Sequence, residues 1–189
     1  MVIRRDVPLV LESQVVAKTT LFDIDASVVR FLNGVERRLE RIRTRTGHTV
    51  LIIPLLEGES LLLVREYCAG THTYELAFPT GTIGRDETIE EAANRELKEE
   101  VGFGADQIFR IMKLKVLPGH FDHETYIVLA EKLYPEKLRG DEPEELDIVQ
   151  WPVSGIDALL KTGEFTEARS VAALLLVDHL LHLRVTENS

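Results

Sequence analysis

The first part of the chain contains a run in which apolar and polar positions alternate, a pattern typical of a β-strand. The run is followed by Asn33-Gly34, a pair that favours a tight turn between antiparallel strands. The pattern therefore predicts a hairpin over residues 21–43. Its second arm, residues 35–43, is rich in arginine, so a helix is the alternative interpretation of that arm. The alternating apolar residues are Phe22, Ile24, Ala26 and Val28.

Later segments predict a mixture of strands and helices. Short apolar runs with β-branched residues predict buried strands over 49–56 and 61–67. Residues 69–87 contain several glycines and a proline, and are predicted to form a loop with one short strand. Together these elements predict an α/β domain. The remaining elements are strands near 111–117, 125–130 and 148–151, and helices over 156–161 and about 167–183.

One predicted helix, residues 89–101, has clear signals at both ends. Thr88 and Glu91 form a Ser/Thr-x-x-Glu capping box at its start, and Gly102 supplies a stop. At about 100° per residue its apolar side chains fall on one arc of the helix. The helix is therefore expected to pack that arc against the core. The residues of the arc are Ile89, Ala92, Ala93, Leu97 and Val101.

Three glutamates of this helix lie where charges are not expected. Glu96 and Glu100 fall inside the apolar arc, and Glu99 falls on its edge. Glutamates on a helix usually only solvate it, but carboxylates at this spacing repel one another and are costly to bury without a partner. A divalent cation removes both objections, because Mg²⁺ and Mn²⁺ prefer oxygen ligands. The pattern therefore favours a metal site on this helix.

Composition and charge narrow the classes of partner. The formal net charge is -10, which disfavours binding to a nucleic-acid backbone. The single cysteine, Cys68, excludes an internal disulfide and favours the reducing cytoplasm. The first six residues lack the apolar core of a signal peptide, and the apolar run 171–177 is too short to span a membrane. We expect a cytoplasmic protein with no nucleic-acid or membrane partner.

Residues 81–103 read G-x5-E-x7-R-E-L-x-E-E-x-G-F. This segment resembles the Nudix box at every defined position, and nine matches make the resemblance very specific. It implies a Nudix hydrolase with the fold of that family, an α/β/α sandwich around a mixed sheet. An N-terminal antiparallel hairpin or small sheet would precede it, with residues 1–45 as a dimerisation region and 46–189 as the hydrolase domain. The matching positions are Gly81, Glu87, Arg95, Glu96, Leu97, Glu99, Glu100, Gly102 and Phe103.

The resemblance also implies a role for each matching position. Glu96, Glu99 and Glu100 would bind the Mg²⁺ or Mn²⁺ ions that bridge the substrate pyrophosphate, with the carbonyl of Thr80 as a further ligand. Gly81 would shape the loop before the helix. Three other residues would be structural: Glu87 and Arg95 as a salt bridge that holds the loop to the helix, and Gly102 as the left-handed residue where the helix ends.

The wider chain is similar to the ADP-sugar branch of the family. Members of that branch tend to carry a proline about fifteen positions after the box, and Pro118 lies 118 − 103 = 15 positions after Phe103. The resemblance implies release of AMP from ADP-ribose, diadenosine triphosphate or NADH. Arg65, Glu75 and Pro118 are the substrate-binding candidates. The chain departs from the branch at two places where the terminal sugar or second nucleoside would bind: Cys68 stands where a second arginine is expected, and the stretch from Glu75 to Gly81 is two residues longer.

The resemblance implies that the general base lies on a loop beyond the box. The matching segment is the acidic loop, residues 139–147, in which Glu142, Glu144 and Glu145 are the candidates. A solvated turn is the alternative interpretation of this loop, and in that case the proton would pass to Glu99.

Three other predictions accompany this assignment. Another Nudix substrate, such as coenzyme A or capped RNA, is one alternative activity. A nucleotide-binding module that cuts nothing is another, although such modules usually lose glutamates of the box. Relatives of the ADP-sugar branch pair through an N-terminal sheet, so the resemblance implies a homodimer.

Overall fold

A computed structural model describes residues 6–187, and the chain divides into two compact units. The first unit comprises the chain up to Gly47 together with Lys115–Glu124, and the second comprises 48–114 and 125–189. The boundary predicted at residue 45 lies two positions before Gly47, where the first segment of this unit ends. The sequence did not predict that the later segment 115–124 also belongs to the first unit. The prediction about a signal peptide concerns residues 1–6, and residues 1–5 lie outside the described residues.

The first unit is built on a small sheet with strand order β1-β2-β3-β9. The predicted hairpin is β2 and β3, which pair antiparallel from Phe22↔Thr44 to Arg30↔Glu36, so the helical alternative for the second arm was wrong. Strand β1 was not predicted, because its apolar residues stand side by side and do not alternate. The strands are β1 (Leu9–Lys18), β2 (Phe22–Arg30), β3 (Glu36–Thr44) and β9 (Phe121–Asp122).

The second unit has a mixed sheet of strand order β11-β5-β4-β10-β8, with β6 on β5 and β7 on β4. Strands β4 and β10 are parallel, and β4 and β5 are antiparallel. The segment predicted as loop with one strand contains two, β6 and β7. The strands are β4 (Thr49–Leu56), β5 (Ser60–Cys68), β6 (Thr73–Ala77), β7 (Thr80–Thr82), β8 (Phe103–Lys115), β10 (Glu124–Pro135) and β11 (Asp147–Pro152).

Helices cover both faces of this sheet. Helix α1 (Ile89–Glu96) packs with Ile52, Val64 and their neighbours on one face. Helices α2 (Ile156–Lys161) and α3 (Ala168–Glu187) pack with Ile53, Leu63 and their neighbours on the other. Successive residues of a strand point to opposite faces, which explains why neighbours in β4 and β5 join different cores. The predicted α/β/α sandwich is confirmed. No described helix has the length and apolar character needed to cross a membrane.

Candidate active site

Helix α1 begins as the sequence predicts and ends in an unexpected conformation. The Thr88 hydroxyl accepts a hydrogen bond from the Glu91 amide at 3.2 Å, and the Glu91 carboxylate accepts one from the Thr88 amide at 2.8 Å. After Glu96 the chain continues as a π-helical turn over Leu97–Val101, and Gly102 follows with φ 81. Such π-turns occur frequently at functional sites, and this one carries two of the three glutamates of interest.

The burial of the three glutamates agrees with their places on the helical arc, where Glu96 and Glu100 fall inside and Glu99 falls on the edge. Glu100 is only 6% exposed, while the side chains of Glu96 and Glu99 are 13% and 20% exposed. Among the described residues, the Glu100 Oε2 atom is one of a few buried polar atoms without a hydrogen-bond partner.

The charge state of Glu100 follows from that burial. Desolvation, reinforced by the negative charges of Glu96, Glu66 and Glu142, raises the pKa of Glu100 to about 9. A hydrogen bond from the Thr80 backbone opposes the shift. The site therefore holds a carboxyl group that needs either a proton or a cation.

Arg95 joins the loop before α1 to two of the glutamates. Its guanidinium donates to both Glu87 oxygens, at 2.7 and 3.0 Å, and to the Thr82 carbonyl at 3.0 Å. The same group reaches Glu96 Oε1 at 2.8 Å and Glu99 Oε2 at 2.9 Å. These carboxylates raise the pKa of Arg95 far above its ordinary value, and its charge offsets theirs. Arg95 thus fixes the loop and neutralises part of the glutamate cluster.

Gly81 and Thr80 lie directly against these carboxylates. A Cβ on Gly81 would lie 1.8 Å from the Glu96 carboxyl carbon and 2.0 Å from its Oε1 atom, so no larger residue fits unless Glu96 moves. Thr80 precedes it in β7, which pairs with β4, and its backbone bonds the Glu100 carboxyl. The sheet therefore brings the Thr80 backbone close to Glu100 and the Gly81 backbone close to Glu96.

Gly81→Ala is expected to displace Glu96 and to weaken divalent-metal binding. The change should also destabilise the fold by about 1–3 kcal/mol, the usual cost of overpacking. Gly70→Ala is the matched control, because a Cβ there has nothing within 4 Å. Metal titration and thermal unfolding of both variants test this. A Gly81→Ala protein with the metal affinity of Gly70→Ala would contradict the role of Gly81.

The acidic loop and the helix glutamates share one cleft of about 350 Å³. Glu99 and Glu100 line one part of it, and the three loop candidates Glu142, Glu144 and Glu145 line another. Glu144 accepts a hydrogen bond from the Tyr74 hydroxyl at 2.6 Å. The pKa of Glu142 is raised by desolvation and by Asp141, although its side chain reaches solvent. The structure therefore places two of the metal-ligand candidates, Glu99 and Glu100, in one cleft with the base candidates.

Lys137 belongs to this cleft and was missed by sequence reasoning. Its Nζ atom donates to the Glu99 carbonyl at 2.9 Å and to the Glu100 carbonyl at 3.4 Å. A cation beside the last carbonyls of a helix is favourable. The sequence offered no signal for it, because Lys137 follows β10 and reaches the π-turn only through the fold.

The substrate-binding candidates Arg65 and Glu75 are not among the residues that line this cleft. Arg65 forms an ion pair with Glu164 at 2.8 Å. Its place in β5 is on the face that α2 and α3 cover. The Glu75 carboxylate accepts hydrogen bonds from Thr73 at 2.9 Å and Thr166 at 3.4 Å. Pro118 belongs to the first unit.

The donor set fits a divalent cation. All of its side chains are carboxylates, and Glu100 offers a buried oxygen that has no other partner in the part of the chain that the structure describes. Within residues 6–187, no three acidic, histidine or cysteine side chains already enclose a metal position. Glu96 and Glu99 contact Arg95 in this arrangement, so binding a cation requires them to exchange at least part of that ion pair.

An α/β/α sandwich that presents a capped glutamate helix beside an acidic cleft has the fold and site of a metal-dependent hydrolase of phosphate anhydrides. Comparison with known proteins agrees: the NUDIX domain model matches residues 45–174. The chain therefore belongs to the Nudix family, and it is a Nudix pyrophosphohydrolase.

Individual relatives point to one branch of the family. The chain is 46% identical to ADP compounds hydrolase NudE of Escherichia coli K12, over 92% of this chain and 93% of that protein. It is 25% identical to ADP-ribose pyrophosphatase of Bacillus subtilis, over 87% and 91% of the two chains. A crystal structure of an ADP compounds hydrolase superposes with a TM-score of 0.89 at 43% identity, covering 97% of this chain and 98% of that one. The resemblance to the ADP-sugar branch is confirmed.

Proposed function

We propose that this protein hydrolyses the pyrophosphate bond of ADP-containing compounds in a divalent-metal-dependent reaction that releases AMP. The substrates considered are ADP-ribose, diadenosine triphosphate and NADH. The observation that carries the proposal is Glu100, whose buried Oε2 atom has no hydrogen-bond partner among the described residues and which lines a cleft with four other glutamates. The name of the relative at 46% identity, an ADP compounds hydrolase, supports the substrate class.

The Nudix family depends on divalent metals, and Mg²⁺ or Mn²⁺ is the proposed cofactor here. Glu96, Glu99, Glu100 and the carbonyl of Thr80 would hold it. When bound, it neutralises the pyrophosphate and lowers the pKa of a water molecule. A substrate with a negatively charged pyrophosphate would otherwise be repelled by this acidic cleft.

The residues of the chain supply the remaining steps. A loop carboxylate, with Glu142 as the first candidate, accepts a proton as water attacks a phosphorus atom. The bridging P–O bond then breaks, and its electron pair leaves with the departing phosphate. Arg95 holds the glutamate helix to the loop at Glu87 throughout. Glu144 remains a second candidate for the base, but its hydrogen bond to Tyr74 engages one of its oxygens.

Incubation with ADP-ribose, diadenosine triphosphate and NADH in Mg²⁺ tests the proposal. We expect AMP in each active reaction, accompanied by ribose 5-phosphate, ADP or reduced nicotinamide mononucleotide respectively. Chelation of the metal should abolish turnover, and mass spectrometry identifies the products. Turnover only of coenzyme A, capped RNA or nucleoside triphosphates would contradict the substrate class. Tight nucleotide binding without any product would identify a binding module instead.

The first unit is the proposed dimerisation region, with a second copy of the chain as partner. Val15 and Val16 are adjacent in β1, at an irregularity of its pairing with β2, and they are 41% and 43% exposed. Uncovered apolar side chains on an edge strand favour an interface. The single cysteine fits a reducing compartment, and the cytoplasm is the proposed location.

Changing Val15 and Val16 together to glutamate is expected to convert the dimer to a monomer, because four charges would enter one symmetric interface. Glu12→Gln on the same strand is the control and should leave the dimer intact. Light scattering after size-exclusion chromatography measures both. A double variant that elutes with the mass of a dimer would show that β1 lies outside the interface.

A further inference from the structure

The end of strand β5 presents a carboxylate to the face of the sheet that carries the glutamate helix. Leu62 and Val64 belong to the core under α1, while Leu61 and Leu63 belong to the core under α2 and α3. Since side chains alternate along a strand, Glu66 continues the first row and Arg65 continues the second. Strand β5 also contacts the π-turn that carries Glu100. Glu66 therefore lies on the same face of the sheet as the glutamate helix and its π-turn.

Glu66 is half-buried, and no described residue compensates its charge. Burial raises its pKa first and the charge of Glu142 second, and among the described residues no hydrogen bond or cation lowers it. Arg65, its neighbour in sequence, is paired with Glu164 and contributes nothing to it. A half-buried carboxylate without a donor is costly in a folded protein, and a structural role gives no reason to keep one.

Glu66 is one of three carboxylates whose negative charges act on Glu100. Glu96, Glu66 and Glu142 are the negative groups that raise the pKa of Glu100. The charges of Glu96 and Glu99 are offset by Arg95, whereas Glu66, Glu100 and Glu142 have no cationic partner within residues 6–187. The three uncompensated carboxylates come from the sheet, the helix and the acidic loop. Among the described residues, the buried Oε2 atom of Glu100 has no hydrogen-bond partner, so this oxygen is available to a cation.

We propose that Glu66 is a further ligand of the divalent-metal site, and that it supplies an oxygen from the sheet opposite those from the helix. The proposal rests on the metal-dependent function proposed above. Glu66 lies fifteen positions before Gly81, the first residue of the Nudix box. The bound cation would compensate the charges of Glu66, Glu100 and Glu142, with which Arg95 forms no ion pair among the described residues. Binding the cation would relieve the mutual repulsion of Glu66, Glu100 and Glu142 at once.

The test is metal affinity, measured apart from turnover. Mn²⁺ is titrated into metal-free protein and the free ion is followed by electron paramagnetic resonance. Glu66→Gln keeps the size of the side chain and removes the charge, and Mn²⁺ affinity should fall about tenfold or more. Metal-free thermal stability should hold or rise, because a like-charge repulsion is lost. Glu66→Asp, which keeps the charge, should lose less affinity than Glu66→Gln.

Glu59→Gln is the matched control, since it makes the same charge change at an exposed position just before β5. Its Mn²⁺ affinity should equal that of the parent protein. A Glu66→Gln affinity within twofold of the control overturns the proposal, and so does a large loss of metal-free stability with affinity unchanged. If the parent binds Mn²⁺ and hydrolyses ADP-ribose while Glu66→Gln matches the control, only this proposal fails. If the parent binds no Mn²⁺, both proposals fail.

Discussion

Glu100→Gln is expected to lower kcat by roughly 10²-fold or more, the scale of lost metal-assisted charge stabilisation. The change keeps the shape of a buried side chain but removes the charge that a cation needs. Glu90→Gln is the control on the same helix, because Glu90 pairs with Arg110 and does not line the cleft. Steady-state rates at saturating Mg²⁺ measure the effect. An equal loss in both variants would indicate damage to the helix and not to the site.

The same variant has an expected signature in stability. Because the pKa of Glu100 is raised to about 9 in the folded protein, its proton is lost less readily than in the unfolded chain. In the absence of metal, the contribution of protonated Glu100 to the free energy of unfolding is therefore complete below about pH 4.5. This contribution is lost progressively as pH rises towards 9. In Glu100→Gln this loss should disappear, so metal-free Tm should hold or rise at pH 8. A marked fall in Tm at pH 8 would make Glu100 a structural ion-pair partner.

Glu142→Gln is expected to lower kcat by about 10²–10⁴-fold, the usual contribution of a general base. Glu142 lies in the cleft with Glu99 and Glu100, and its charge raises the pKa of Glu100. Removing that charge takes away a general base while the helix carboxylates remain, so Mn²⁺ affinity should change much less than kcat. Rate profiles against pH add a second readout, since hydroxide should partly restore the rate of the variant at high pH.

Glu144→Gln and Glu145→Gln are the matched controls on the same loop, and each should lose less than Glu142→Gln. A larger loss in Glu144→Gln would mean that Glu144 leaves Tyr74 when substrate binds and serves as the base. If all three variants lose less than threefold, the acidic loop is a solvated turn. The proton would then pass to the helix, where Glu99 is the next candidate.

Local periodicity accounts for what could be predicted. The capping box at Thr88, the left-handed Gly102 and the burial order of Glu100, Glu96 and Glu99 all follow from residues within one or two helical turns. Strand β4 and helix α2 have the predicted bounds, because their apolar patterns are strong and their ends are well marked. The specific spacing of the Nudix box supplied the family.

Errors arose where the pattern was weak or ambiguous. Strand β1 has adjacent apolar residues and is exposed along its whole length, so it carries no period that a sequence could reveal. The arginine-rich arm of the hairpin fitted a helix equally well until its pairing with β2 decided it. The last turn before Gly102 is π-helical, although an ideal wheel placed its glutamates on the correct side.

The sequence by itself determined the family, the glutamate helix and the α/β class, because each can be recognised from the spacing of residues that are close in the chain. Only the tertiary structure decided which distant groups meet that helix. Lys137, which follows β10, donates a hydrogen bond to the π-turn. The charge of Glu66 on β5 acts on Glu100, and the acidic loop lines the cleft that contains Glu99 and Glu100. Strand register sends Glu66 to one face and Arg65 to the other. These placements depend on pairing across the sheet, which no local spacing of residues encodes.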